Sequence, residues 1–155
     1  MSGTLVPAAL DPSLFIPELK SRRRDSALAE LVECARRAGV VWHADLLLEL
    51  LGYREALGSS APGRAIAIPA VRSLAVREQR VVVGRSRRGI DWQASDGLPV
   101  RVVALLLSPA DCTAALHVES VKRLAATLRL QRMRQRVIDA EGYDDVAATL
   151  REALP

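Results

Sequence analysis

The segment Val100-Arg101-Val102-Val103-Ala104-Leu105-Leu106-Leu107 restricts the fold more than any other stretch of the chain. Apart from Arg101 it is apolar throughout, and its run is far too short to span a bilayer. It reads as a strand with apolar side chains on both faces, and such a strand needs a cover on each face. A sheet with helices on its flanks is the arrangement that supplies two covers.

The rest of the chain supplies the helices. Ala27, Leu28, Leu31, Val32 and Ala35 recur at three- and four-residue spacing and predict an amphipathic helix closed by Gly39. A second helix is predicted from about Ala44, with Leu47, Leu48, Leu50 and Leu51 apolar, ending near Gly52 or a few residues beyond. After the strong strand, Ser108-Pro109-Ala110-Asp111 is expected to open a long helix striped by Leu116, Val121, Leu124, Ala125 and Leu128. A helical stretch with Met133 and Val137 follows, and Tyr143 to Leu154 closes the chain as a last helix, with Asp144 and Asp145 near its positive end.

Shorter strands are expected at Ala65 to Ile68, ended by Pro69, and at Arg80 to Arg85. Asp96-Gly97 marks a turn or hairpin between Gly89 and Pro99. Residues 1–17 carry three prolines and predict a loose arm with a short strand or turn near Leu14 to Ile16; residues 18–155 form the core. The expectation is one α/β or α+β domain, helices covering a mixed sheet, in a chain whose 155 residues suffice to bury roughly two-thirds of their surface.

Composition narrows the function classes. The net charge of +4 is mostly arginine scattered from Arg22 to Arg151, and aromatics are only 3 % of residues. Nucleic acid is therefore not expected as a partner, because single strands need aromatic platforms. The densest basic cluster, Arg85, Arg87 and Arg88, is read as a solvated loop before Gly89. Cys34 and Cys112 each fall in a helical pattern and read as two buried thiols of a reduced compartment. With His43 and His117 they do not reach metal-ligand spacing, so neither a metal nor another cofactor is expected. Met1 to Leu10 lacks a basic n-region and contains Pro7, so no signal peptide is expected and the cytoplasm is the expected location.

Three blocks then become specific. Arg54-Glu55-Ala56-Leu57-Gly58-Ser59-Ser60-Ala61-Pro62-Gly63-Arg64-Ala65-Ile66-Ala67-Ile68-Pro69-Ala70 resembles the R-E-x-L-G-S-T-G-I-G-x-G-I-A-I-P-H signature of the fructose/mannitol/nitrogen-regulatory enzyme IIA family of the phosphotransferase system. Gly89-Ile90-Asp91-Trp92, Asp96-Gly97-Leu98-Pro99-Val100 and Leu105-Leu106-Leu107-Ser108-Pro109 resemble G-x-D-F, D-G-x-P-V and L-L-L-x-P of that family. His117-Val118 stands where the family has His-Leu. The resemblance covers about residues 10–154 and implies a three-layer sandwich, a mixed sheet flanked by helices.

It also implies a phosphocarrier. In the family, the histidine after Ile-Pro accepts a phosphoryl group from the small carrier HPr and passes it to a transporter domain, or holds it as a signal. A neutral imidazole is the nucleophile, and turn N–H groups with an arginine stabilise the phosphoryl oxygens. Here that position is Ala70, whose methyl has no lone pair. Ala61 and Ala65 replace two family glycines and Pro62 removes an N–H, changes expected to reshape the turn.

Arg54, Ser59, Ser60, Arg64 and His117 are the candidate pocket or anion-binding residues, with Arg72 flanking. Serines in such turns also bond their own backbone. Asp91 and Asp96 are read as turn carboxylates, Trp42 and Trp92 as packing residues, and His43 as exposed or capping. Three readings follow. One is an enzyme IIA-like protein that cannot be phosphorylated at the usual site and acts by binding a protein, an HPr-like carrier or a regulated target. A second is an anion or nucleotide sensor that reuses the vacated pocket. The third is an active carrier using His117 or His43. The branch of the family, the oligomeric state and the partner's identity stay open at this stage.

Overall fold

The computed structural model describes residues 9–152. Its centre is a hairpin of two long strands, β4 (Arg80–Ile90) and β5 (Val100–Pro109), paired antiparallel from Arg80↔Leu107 to Arg85↔Val102. Three short strands complete the sheet: β1 (Phe15–Ile16), β2 (Ile66–Ala67) and β3 (Ala70–Ser73). β1 runs parallel to β4 at one edge, while β2 and β3 run parallel to β5 at the other. The sheet is therefore mixed.

β2 and β3 share one register. Ile66 lies opposite Val102 and Ala70 opposite Leu106, a constant offset across Ile68-Pro69. The proline removes one ladder donor, and the Ile68 N–H turns away to the Ser60 carbonyl at 2.9 Å. The Pro69 carbonyl still accepts from the Leu106 N–H at 2.9 Å. Pro69 thus interrupts the edge without ending it, and β3 follows where no strand was predicted.

Five helices cover the sheet: α1 (Arg24–Arg37), α2 (Ala44–Leu57), α3 (Ala114–Arg129), α4 (Gln131–Asp139) and α5 (Tyr143–Glu152). Side chains alternate along β5 as the pleat requires. Val103, Leu105 and Leu107 join the core under α1 and α2, whereas Val102, Ala104 and Leu106 join the core under α3, α4 and α5. All six are fully buried, and each large one contributes about 1.5–3 kcal/mol on burial. The three-layer sandwich follows directly from the two-faced apolar strand.

Local chemistry sets the helix ends. Gly39, at φ +78°, closes α1: its N–H bonds the Arg36 carbonyl, and the Val40 N–H bonds the Ala35 carbonyl. α3 starts later than predicted, because β5 continues through Ser108-Pro109. Thr113 caps it, its Oγ1 accepting from the Leu116 N–H at 3.1 Å. Cys112 accordingly lies in the turn before α3, and both cysteines are half-buried free thiols, not core residues.

The Arg85 to Arg88 cluster is also not a loop. It occupies the second half of β4. The predicted arm is bound to the sheet in its described part: Asp11 caps a 3-10 turn over Pro12–Leu14, and β1 follows. Residues 1–8 of that arm, and the last two residues of the predicted final helix, lie outside the described residues.

Candidate functional site

Ala70 opens β3, is half-buried, and packs against the core beneath α3 to α5. Arg72, two residues on, belongs to the same face by strand alternation. Its Nη1 donates to the carbonyls of Ala110 at 3.2 Å and Cys112 at 2.9 Å, tying β3 to the turn that leads into α3. His117 sits in the first turn of α3 and is buried, with 6 % of its surface exposed. β3 and the first turn of α3 thus bring Ala70, Arg72 and His117 to one edge of the sheet.

A polar network fixes the histidine. His117 Nδ1 lies 2.7 Å from Ser108 Oγ. The Gln79 amide donates to Ser108 Oγ at 3.4 Å and to Ser120 Oγ at 3.3 Å, and the Ser120 hydroxyl donates to the Leu116 carbonyl. With Gln79 supplying a donor to Ser108, the serine's own proton is free to point to Nδ1. Ser108 Oγ, which can donate or accept, pairs with Nδ1 in either tautomer of the ring.

Burial, followed by the nearby positive charges of Arg54 and Arg72, pushes the His117 pKa below the usual histidine value. All three effects disfavour the imidazolium. The ring is neutral in a cationic setting.

Arg54, at the exposed C-terminal end of α2, is therefore within electrostatic reach of His117. Arg64 is not part of this cluster. Its guanidinium donates to the Arg129 carbonyl at 3.4 Å, at the far end of α3. Twelve residues of helix separate Arg129 from His117, about 18 Å at the helical rise.

Ser59 and Ser60 do not converge on His117 as ligands either. Ser59 Oγ accepts from the Ala61 N–H at 3.1 Å, closing its own turn. Ser60 Oγ accepts from Trp92 Nε1 at 3.2 Å. His43 lies at the other end of α2 from Arg54, exposed and left-handed at φ 84°, with no capping bond from its side chain.

The turn between α2 and β2 keeps a glycine-like backbone despite its alanines. Gly63, Arg64 and Ala65 all have positive φ, at 110°, 61° and 64°. Ala65 thus holds positive φ although it carries a Cβ. Two acids impose the conformation. Asp96 Oδ2 accepts from the Arg64 N–H at 2.7 Å and would lie only 2.7 Å from a Cβ on Gly63. Buried Glu55 accepts from the Ser60 N–H at 3.2 Å and from Trp92 Nε1 at 3.0 Å. Asp96 is thus a turn carboxylate, also bonding the Leu98 N–H, and in addition a clamp on the signature turn. Sequence reasoning missed Glu55 as an organising residue; its place in the R-E pair of the signature was the available signal. Ser108 and Gln79 carried none.

No group of three or more His, Cys, Asp or Glu side chains suited to a metal ion occurs among the described residues.

The site thus lies in an α/β/α sandwich, at a parallel sheet edge broken at Ile68-Pro69 with a buried histidine beside it. Residues 9–153 match the family "Phosphoenolpyruvate-dependent sugar phosphotransferase system, EIIA 2", and the chain belongs to that family. Among curated proteins it is 35 % identical over 121 residues to a nitrogen regulatory protein of Bradyrhizobium diazoefficiens, covering 77 % of each chain. It is 26 % identical over 128 residues to the fructose-specific EIIABC component of Bacillus subtilis, where the match takes in 83 % of this chain but only 20 % of that longer protein. The crystal structure of nitrogen regulatory protein IIA-Ntr from Neisseria meningitidis superposes with a TM-score of 0.84 at 26 % identity, covering 93 % of this chain and 97 % of that one.

Proposed function

We propose that this chain is a single enzyme IIA-type domain that has lost phosphoryl transfer at the usual position and works by binding a protein partner. The observation that carries the reading is the side chain at residue 70. It stands after Ile68-Pro69, on the strand edge facing His117, and it is a methyl group. A phosphoramidate needs a nitrogen lone pair, and alanine has none.

His117 is a poor substitute carrier. Its Nδ1 is engaged by Ser108, and 6 % exposure gives a donor protein little access. His43 is exposed, but sits eleven residues, about 16 Å, along α2 from Arg54. The reading of a sensor that reuses the vacated pocket loses Arg64, which the fold sends to the far end of α3.

Protein binding is supported by the surface around this edge. Tyr53 and Leu57 on α2 are 70 % and 88 % exposed, and Leu74 after β3 is 84 % exposed. Tyr53 and Leu57 lie within one turn of Arg54 on α2 and Val118 follows His117 on α3, a combination of exposed apolar side chains and arginine that protein interfaces favour, whereas Leu74 lies toward the other end of α2, where its carbonyl accepts from Trp42 Nε1. The expected partner is an HPr-like carrier or a regulated target protein, with this chain held permanently in the unphosphorylated signalling state.

The test is intact-mass spectrometry after incubation with phosphoenolpyruvate, enzyme I and HPr. The parent chain is expected to gain no phosphoryl adduct. An adduct that disappears in His117→Ala would show that the site has moved, and the reading would fail.

A further inference from the structure

We propose that a second site, a basic cleft at the opposite end of the sheet, binds a multiply phosphorylated small molecule through Arg22, Arg87, Arg88 and Arg101. The cleft lies between the segment leading from β1 to α1, the second half of β4, the start of β5 and the turn joining α4 to α5. Its volume is about 1020 Å³, enough for a nucleotide-sized ligand, since small-molecule sites run to roughly 1,000 Å³. Arg101 and Leu106 are five residues apart on β5, so the cleft lies about 17 Å from the Ala70 edge.

Chain connectivity builds the cleft. The Leu19 N–H bonds the Arg85 carbonyl at 2.6 Å, and the Asp91 N–H bonds the Arg22 carbonyl at 2.7 Å, so residues 17–23 flank β4. Arg85 is structural. Its Nη1 donates to the carbonyls of Val137, Ile138 and Ala140, and its guanidinium lies over the Phe15 ring. That fixes the α4–α5 turn as the cleft's far wall.

The other arginines have no such duty. None of Arg22, Arg87, Arg88 and Arg101 enters an ion pair among the described residues. Lys20 adds a further positive charge to the lining. Glu18 and Asp139 are the acids present, and both are engaged: Glu18 accepts from the Arg87 N–H, and Asp139 from the Gln135 amide.

Arg101 gives the sharpest indication. Its Nε is buried and has no hydrogen-bond partner. A buried charged donor without an acceptor is costly, and cations converging on one concavity repel one another. A ligand with several anionic oxygens relieves both penalties, and the guanidinium fork matches phosphate oxygens in pairs. Cations contributed by separate segments around a concave site suit a compact polyphosphate better than an extended strand, which requires aromatic platforms.

The experiment is isothermal titration of the full chain with sodium tripolyphosphate and, separately, with ATP. One saturable site is expected, weakened at least tenfold in Arg101→Gln and in Arg87→Gln and weakened by added salt. Arg87 is exposed, so its variant keeps the test valid if Arg101→Gln disturbs β5. Equal affinity for both probes assigns recognition to the phosphate chain, and tighter ATP binding extends it to the nucleoside. No binding at millimolar probe, or parent-like binding by both variants, overturns the proposal. So does loss of binding in Arg54→Gln, which would move the anion to the Ala70 edge, or tighter binding of poly(U) RNA than of ATP. Phosphoryl transfer plays no part in this site, so its failure and that of the carrier reading are separable.

Discussion

Ser108 Oγ and His117 Nδ1, one at the end of β5 and the other in the first turn of α3, lie 2.7 Å apart with both residues buried. Ser108→Ala removes the partner of Nδ1 and one acceptor of the Gln79 amide. A loss of about 1–3 kcal/mol is expected, the usual cost of an unsatisfied buried group, measurable by denaturant unfolding.

The same histidine sets a pH dependence. Its folded pKa lies below the unfolded value of 6.5, so the unfolded chain takes up the proton first as pH falls. Stability rises with pH wherever the unfolded state binds more protons. This contribution is therefore complete above the unfolded pKa and lost as pH falls through 6.5 toward the folded pKa. Unfolding curves between pH 7.5 and 5, on the order of one unit either side of the unperturbed value, should show a shallower decline in His117→Gln than in the parent. Equal slopes would contradict a depressed His117.

Ala65 holds φ 64° in a region that penalises a Cβ. Ala65→Gly should stabilise the chain by about 1 kcal/mol, since left-handed backbone costs a non-glycine residue roughly 1–2 kcal/mol and glycine returns part of that as entropy. A raised denaturation midpoint with an unchanged slope would bear this out.

Ala70→His places an imidazole directly after Ile68-Pro69 at the start of β3. In the mass assay with phosphoenolpyruvate, enzyme I and HPr, this variant is expected to gain one phosphoryl group while the parent gains none. A variant that stays unlabelled would show that the changes at Ala61, Pro62 and Arg64 also disable transfer.

Arg85 and Arg87 share a strand but not a role. Arg85→Met removes the guanidinium donor shared by the carbonyls of Val137, Ile138 and Ala140, of which Val137 keeps the Ala140 N–H, and should cost about 1–3 kcal/mol. Arg87→Met, at an exposed position without an ion pair, should stay within about 0.5 kcal/mol of the parent. Thermal unfolding of the two variants side by side tests this.

The helices of both outer layers were legible from periodicity: Ala27 to Ala35 trace the apolar face that α1 buries, whereas of the α3 stripe Leu124 and Leu128 are buried and share that face with His117, Ser120 and Thr127. β3 was not, since Ala70 to Ser73 has neither an apolar run nor a turn at its start, and becomes a strand only because β5 offers a ladder beside it. Arg85 to Arg88 read as a loop because arginines are usually solvated, whereas the α4–α5 carbonyls hold Arg85 as a half-buried donor.

The order of residues alone determined the two-faced central strand, the helices over it, the family signature and the absence of a nucleophile at residue 70, because each rests on local pattern or on a side chain's chemistry. Only the tertiary structure decided that Arg64 leaves the site, that Ser60 and Glu55 hold Trp92, that Ser108 orients His117, and that unpaired arginines from separate segments meet in one cleft. Those outcomes depend on which distant backbone and side-chain partners the packed layers bring within hydrogen-bond reach, and spacing along the chain carries no record of them.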